Sequence, residues 1–86
     1  RDVYLIDNGT NKYIIDYNLE DLENTLDPIL FQRVNRTYIL NINAIKDVIK
    51  YSNSRLKVIL KTDLNEEIIV SRDRVLQFKS WFDGFQ

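Results

Sequence analysis

Cysteine, histidine and methionine are absent from this 86-residue chain, which has one proline and only two glycines. Without Cys or His, the usual ligands of zinc and haem are missing, and no cofactor is expected. Cys nucleophiles, Ser–His pairs and His general bases are excluded for the same reason, and no disulfide can form. A disulfide-free composition fits the cytoplasm. Gly9 and Gly84 stand far apart, so there is no glycine-rich phosphate loop. No apolar run approaches the ~18 residues of a membrane helix, and the N-terminus does not read as a signal peptide. What is present, 44% hydrophobic and 29% charged residues, suits a small globular domain rather than a disordered tail. The chain opens on Arg1 rather than an initiator Met. We therefore expect a single domain over residues 1–86, excised from a longer protein.

A formal net charge of −1 argues against nucleic acid only if the charge is evenly spread. It is not. Residues 1–30 carry two basic and seven acidic side chains. Residues 31–62 carry Arg33, Arg36, Lys46, Lys50, Arg55, Lys57 and Lys61 against Asp47 alone. Residues 63–86 return to three basic against five acidic. A positive middle segment can dock a phosphate backbone while the rest repels it. Alternatively, these cations simply decorate exposed strand faces.

Val3–Ile6 and Lys12–Ile15 read as strands joined through Asp7-Asn8-Gly9-Thr10-Asn11, where Asn-Gly predicts a tight turn with positive φ. A short helix follows. Asn18 is its expected cap, with Asp21 three residues on, and Leu19, Leu22 and Leu26 form its apolar stripe. Asp27-Pro28 stops it. Residues 30–43 fit no single period and read as a short strand, an irregular polar loop and a further strand or turn. Ile45–Tyr51 and Leu56–Lys61 bracket the turn-forming Ser52-Asn53-Ser54, and Ile68–Val70 is a last short strand. Ser71 is the expected cap of a C-terminal helix with Val75, Phe78 and Phe82 on one stripe, Leu76 and Trp81 beside it and Gly84 as its stop. The expected fold is mainly β with short helices, and the short connections favour antiparallel sheets.

Catalysis finds little support. Glu20, Asp21 and Glu23, and again Glu66 and Glu67, are grouped carboxylates of the kind a glycosidase could use, but here they read as solubilising a helix N-terminus and a turn. Binding is better supported. Arg matches guanine and Asn matches adenine through paired hydrogen bonds in the major groove. Arg33, Asn35 and Arg36, then Asn53 and Arg55, then Ser71 and Arg72 all fall in predicted loops or at element junctions. Asn53 also serves simply as a turn former. Arg72 is the more unusual, because a cation at a helix N-terminus opposes the backbone dipole and calls for another reason to be there. Phe78, Trp81 and Phe82 read as core anchors. Tyr4, Tyr13 and Tyr17 lie in the acidic third, which disfavours stacking on single strands.

The run Phe31-Gln32-Arg33-Val34-Asn35-Arg36-Thr37-Tyr38-Ile39-Leu40-Asn41 resembles the signature of the LytTR DNA-binding domain family, Phe-x-Arg-(apolar)-His-Arg-Ser-(aromatic)-(apolar)-(apolar)-Asn. Ile69-Val70-Ser71-Arg72 and the aromatic helix after it resemble that family's closing motif. The order and separation of the two motifs match over nearly the whole chain. The resemblance implies small antiparallel sheets with a short internal helix and a C-terminal helix. It also implies loops, rather than a recognition helix, entering successive major grooves of promoter direct repeats. The base readers it implies are Asn35, Asn53 and Arg72, with Arg36 touching phosphate or base. Arg33 is an auxiliary contact, and from charge and position we add Lys50, Arg55 and Ser71 as backbone contacts. Asn35 stands where the family has His, and Thr37 where it has Ser. Implied partners are double-stranded promoter DNA, a second copy paired through a receiver domain, and a sensor histidine kinase acting on the full-length response regulator. No membrane partner is expected. The competing expectation is a β-rich protein-interaction or sensory module that binds no DNA.

Overall fold

The computed structural model describes residues 2–15 and 19–85. The cap expected of Asn18, and Tyr17, lie outside the described residues. Among the described residues seven strands and two helices follow in the order β1 (Val3–Ile6), β2 (Lys12–Ile15), α1 (Leu19–Thr25), β3 (Phe31–Arg33), β4 (Tyr38–Asn41), β5 (Ile45–Tyr51), β6 (Arg55–Leu60), β7 (Ile68–Val70) and α2 (Val75–Phe85). Two single 3-10 turns, Ile42–Ala44 and Arg72–Arg74, join β4 to β5 and β7 to α2. No described helix is long and apolar enough to cross a membrane.

The strands form two sheets, a four-stranded one ordered β2-β1-β4-β3 and a three-stranded one ordered β5-β6-β7. All pairings are antiparallel except one. β1 and β4 run parallel, with Tyr4, Leu5 and Ile6 opposite Tyr38, Ile39 and Leu40. The sheets are thus mostly antiparallel, as the short connections led us to expect, with this one pairing the departure. The chain returns to β1 through β2, α1 and β3, and a crossover that long can lay a strand parallel to its neighbour.

The core lies between the sheets and under α2. Alternation on β6 buries Leu56, Val58 and Leu60 and turns Arg55, Lys57 and Ile59 outward. Ile6, Val34, Tyr38, Leu40, Ala44, Ile45, Ile68 and Val70 belong to the same cluster, and Phe78 enters it from α2 at 1% exposure. Trp81 is only half-buried. Its indole N–H donates to the Ile29 carbonyl at 2.9 Å, and its ring stands 5.6 Å from that of Phe78. The helix therefore hangs on Phe78 more than on Trp81.

Three local expectations are corrected. The 7–11 turn forms, but neither Asn8 nor Gly9 takes positive φ; Thr10 does, at 61°. The Asp7 carboxylate accepts the Gly9 and Asn11 amides, which leaves the left-handed position to the third loop residue, as in a three-residue hairpin loop. Ser71 precedes a 3-10 turn and makes no side-chain cap; its N–H and hydroxyl both donate to the Val34 carbonyl instead. Gly84 does not stop α2, which continues to Phe85.

Candidate nucleic-acid interface

Sheet β5-β6-β7 brings three separate stretches of sequence to one of its ends. The first is the hairpin loop Ser52-Asn53-Ser54, where Asn53 and Ser54 take φ of 60° and 61° in succession. That pair of left-handed residues is what a type I′ turn requires, and Asn tolerates it better than most side chains. The second is the Ser71-Arg72 junction. β7 runs antiparallel to β6 with Leu56 opposite Val70, so Ser71 emerges beside Arg55. Arg55, Ile69, Ser71, Arg72 and Asp73 line one shallow groove there. The third is the 34–37 loop, tied to β7 by the Ser71 amide on the Val34 carbonyl at 3.0 Å. At roughly 4.8 Å per strand, the row from Arg55 across Ser71 to Val34 spans about 10 Å.

The side chains at this end divide into two groups. Arg36, Asn53 and Arg72 are exposed, and none bonds through its side chain to another described residue. Lys50 is exposed as well; it stands opposite Leu56 at the penultimate position of β5. The others are occupied. The Arg33 guanidinium donates to the carbonyls of Asn35 at 3.0 Å and Arg36 at 3.3 Å, with Glu23 at 3.7 Å. Burial, then the nearby Arg74 charge, draws this guanidinium below its ordinary range, and Glu23 opposes them. Asn35 accepts the Thr37 amide at 2.7 Å and the Tyr38 amide at 2.9 Å on Oδ1, while its Nδ2 donates to the Ile69 carbonyl at 2.7 Å. Arg55 folds back on its own loop, donating to the Ser52 carbonyl at 3.1 Å and lying 5.1 Å above the Tyr51 ring.

The sequence profile of the LytTr DNA-binding domain matches residues 1–83. The chain belongs to the LytTr DNA-binding domain family. Its fold is also similar to the LytTr DNA-binding domain of a protein from Bacillus cereus assigned as a methyl-accepting/DNA response regulator, with a TM-score of 0.70 at 24% identity. The match covers 83% of this chain and 63% of that one. No curated protein matches the chain.

Within this LytTr domain, Asn41 and Leu76 carry information that the sequence reading did not extract. Asn41, the last residue of the first motif, is buried and accepts the Asn43 amide at 2.8 Å, so it caps the 3-10 turn that leads into β5. An Asn immediately before a change of period was the available signal. Leu76 is 84% exposed in the first turn of α2, four residues after Arg72. Its position off the Val75-Phe78-Phe82 stripe was the corresponding clue. Among the described residues there is no group of three or more carboxylates placed to hold a metal ion.

Proposed function

We propose that this LytTr domain binds duplex DNA in a sequence-specific manner through the end of the β5-β6-β7 sheet, its loops entering successive major grooves of promoter direct repeats. The observation that carries the reading is the convergence of the 34–37 loop, the 52–54 hairpin loop and the 71–72 junction on one end of one sheet, each offering an exposed Asn or Arg. Asn53 and Arg72 present unspent hydrogen-bonding groups suited to base edges. Arg36, Lys50 and Arg55 supply cations for phosphates, while Arg33 and Ser71 hold the loops that present them. Asn35, expected from the family motif to read a base, meets the DNA with its amide already engaged by the fold. In the same reading the domain is the cytoplasmic output module of a longer response regulator. A receiver domain pairs two copies on DNA, and a sensor histidine kinase acts upstream.

Selection of bound duplexes from a random library at two salt concentrations tests this. An enriched motif, ideally two repeats about one helical turn apart, is the expected result. Affinity should fall by about 0.9 log units per phosphate contact for each tenfold rise in salt. Salt-sensitive but sequence-blind binding would assign specificity to the paired full-length protein, and no binding at all would favour a protein-interaction module.

A further inference from the structure

The family motif would have the side chain at position 35 read a base, yet in this chain that side chain is built into the loop. An amide oxygen has two lone pairs and an amide nitrogen two hydrogens. Both lone pairs of Asn35 are taken, by the Thr37 and Tyr38 amides, and one hydrogen is given to the Ile69 carbonyl. Paired recognition of adenine needs the amide oxygen as acceptor and the nitrogen as donor together. Only one N–H remains. Turning the amide toward a base would leave two loop N–H groups and a β7 carbonyl without their partners, an exchange that gains nothing.

The same loop is held from its other side. The Arg33 guanidinium grips the carbonyls of Asn35 and Arg36, and the Val34 carbonyl accepts from Ser71. Between these clamps Arg36 is exposed, its backbone fixed and its guanidinium unspent. A phosphate can be met by a cation on a mobile chain. A loop pinned by three side chains instead suits a contact that depends on direction, such as the paired acceptors O6 and N7 of guanine.

We propose that Asn35 is a positioning residue, fastening the 34–37 loop to β7, and that Arg36 is the residue through which this loop reads a guanine. The Arg36 half rests on the DNA-binding reading above; the Asn35 half stands on the fold of the free domain. Four proteins are compared, the unaltered domain, Asn35→Ala, Asn35→Asp and Arg36→Ala. Amide exchange is measured on the free domains, and binding is measured against the selected duplex and its complete set of single base-pair variants.

Asn35→Ala removes all three of these hydrogen bonds, so it should speed exchange of the Thr37 and Tyr38 amides and weaken binding to every duplex by a common factor of about tenfold or more. Asn35→Asp keeps the oxygen that accepts both amides but loses the N–H given to the Ile69 carbonyl, so it should restore protection of the Thr37 and Tyr38 amides, weaken binding to every duplex and leave the base preferences unchanged. Arg36→Ala should leave exchange unaltered and flatten the preference at one G·C pair by about ten- to a hundredfold. The proposal is overturned by an Asn35→Asp domain that shifts its preference at one position from adenine toward cytosine, the partner a carboxylate selects. It is overturned equally by Thr37 and Tyr38 amides that do not respond to Asn35→Ala, whether or not DNA binds. An unaltered domain with no preference among duplexes would instead remove the DNA-binding reading, and the Arg36 half with it, while the exchange measurement still decides the role of Asn35.

Discussion

Arg72 is an exposed cation in the first residue of a helical segment, where unpaired N–H groups already make the local potential positive. The fold gains nothing from a guanidinium there, which is why its use is sought outside the fold. Arg72→Ala should cost ~1–3 kcal/mol in specific DNA binding and relax selection at one base position. Its melting curve should stay that of the unaltered domain. Buried side chains give the opposite pattern. Phe78, at 1% exposure, should cost ~3–5 kcal/mol on truncation to Ala. Trp81→Ala should cost less, ~1–3 kcal/mol, in proportion to its smaller buried surface. Thermal unfolding of the two variants side by side checks the order. From sequence, Trp81 and Phe78 could not be ranked, because both sit on or beside one helical stripe and only the sheet underneath decides which enters it. The roles of Asn35 and Arg33 were hidden for a related reason. A polar residue in a loop looks the same in sequence whether it faces a ligand or a carbonyl thirty-four residues away.

Among the elements, strands were the most legible. β1, β2, β5 and β7 occupy the segments read from β-branched and aromatic runs, and β6 is displaced by one residue. Turn positions were legible, but their internal geometry was not. Asn8-Gly9 carries the compositional signal of a two-residue turn, yet the Asp7 carboxylate, by accepting two amides, builds a longer loop in which Thr10 takes the left-handed position. Those bonds, the Asn11 amide first, hold the Asp7 carboxyl below its ordinary 3.8. A lowered carboxyl contributes stability that is present above the unfolded value and is lost as pH falls through the folded one. Acid unfolding below about pH 4 should therefore begin at a milder pH in the unaltered domain than its neutral stability alone implies, and Asp7→Asn should flatten that acid limb. Circular dichroism followed from pH 6 to pH 2 reads this directly. The parallel β1–β4 pairing escaped the sequence altogether, since strand direction depends on which strand a crossover returns to.

On the scale of the whole molecule, the two sheets are latched across their boundary. Lys12 on β2 pairs with Glu66, which lies just before β7, at 2.9 Å, and its ammonium sits 4.4 Å over the Tyr4 ring. Burial first, and then the Glu66 carboxylate, push the Tyr38 hydroxyl up to about 12. A tyrosine whose folded value is raised stabilises the domain fully below its unfolded value of 10.0 and loses that contribution as pH rises toward 12. The domain should weaken between those limits, ultraviolet titration should show Tyr38 ionising at about 12, and Tyr38→Phe should blunt the loss. The latch joins the acidic first third to the loop before β7. Of the basic middle segment, Arg36, Lys50 and Arg55 reach the opposite end of β6, where the three loops meet, whereas Lys46 and Lys61 stay at the Glu66 end and Lys57 pairs with Glu67 at 3.4 Å. Regional charge sums read from sequence pointed to that segment, but which of its cations reach the loop end follows only from the β5-β6-β7 order and register.

DNA binding is assigned to one location, the end of the β5-β6-β7 sheet where the 34–37 loop, the 52–55 hairpin end and the 71–72 junction meet. It is tested most directly by titrating the isotope-labelled domain with its selected duplex and following backbone amide shifts residue by residue. Saturating shifts confined to those three stretches and Lys50, weakened uniformly by added salt, are the expected result. Shifts centred on β2, α1 or the 63–67 turn, with the three loops silent, would contradict it.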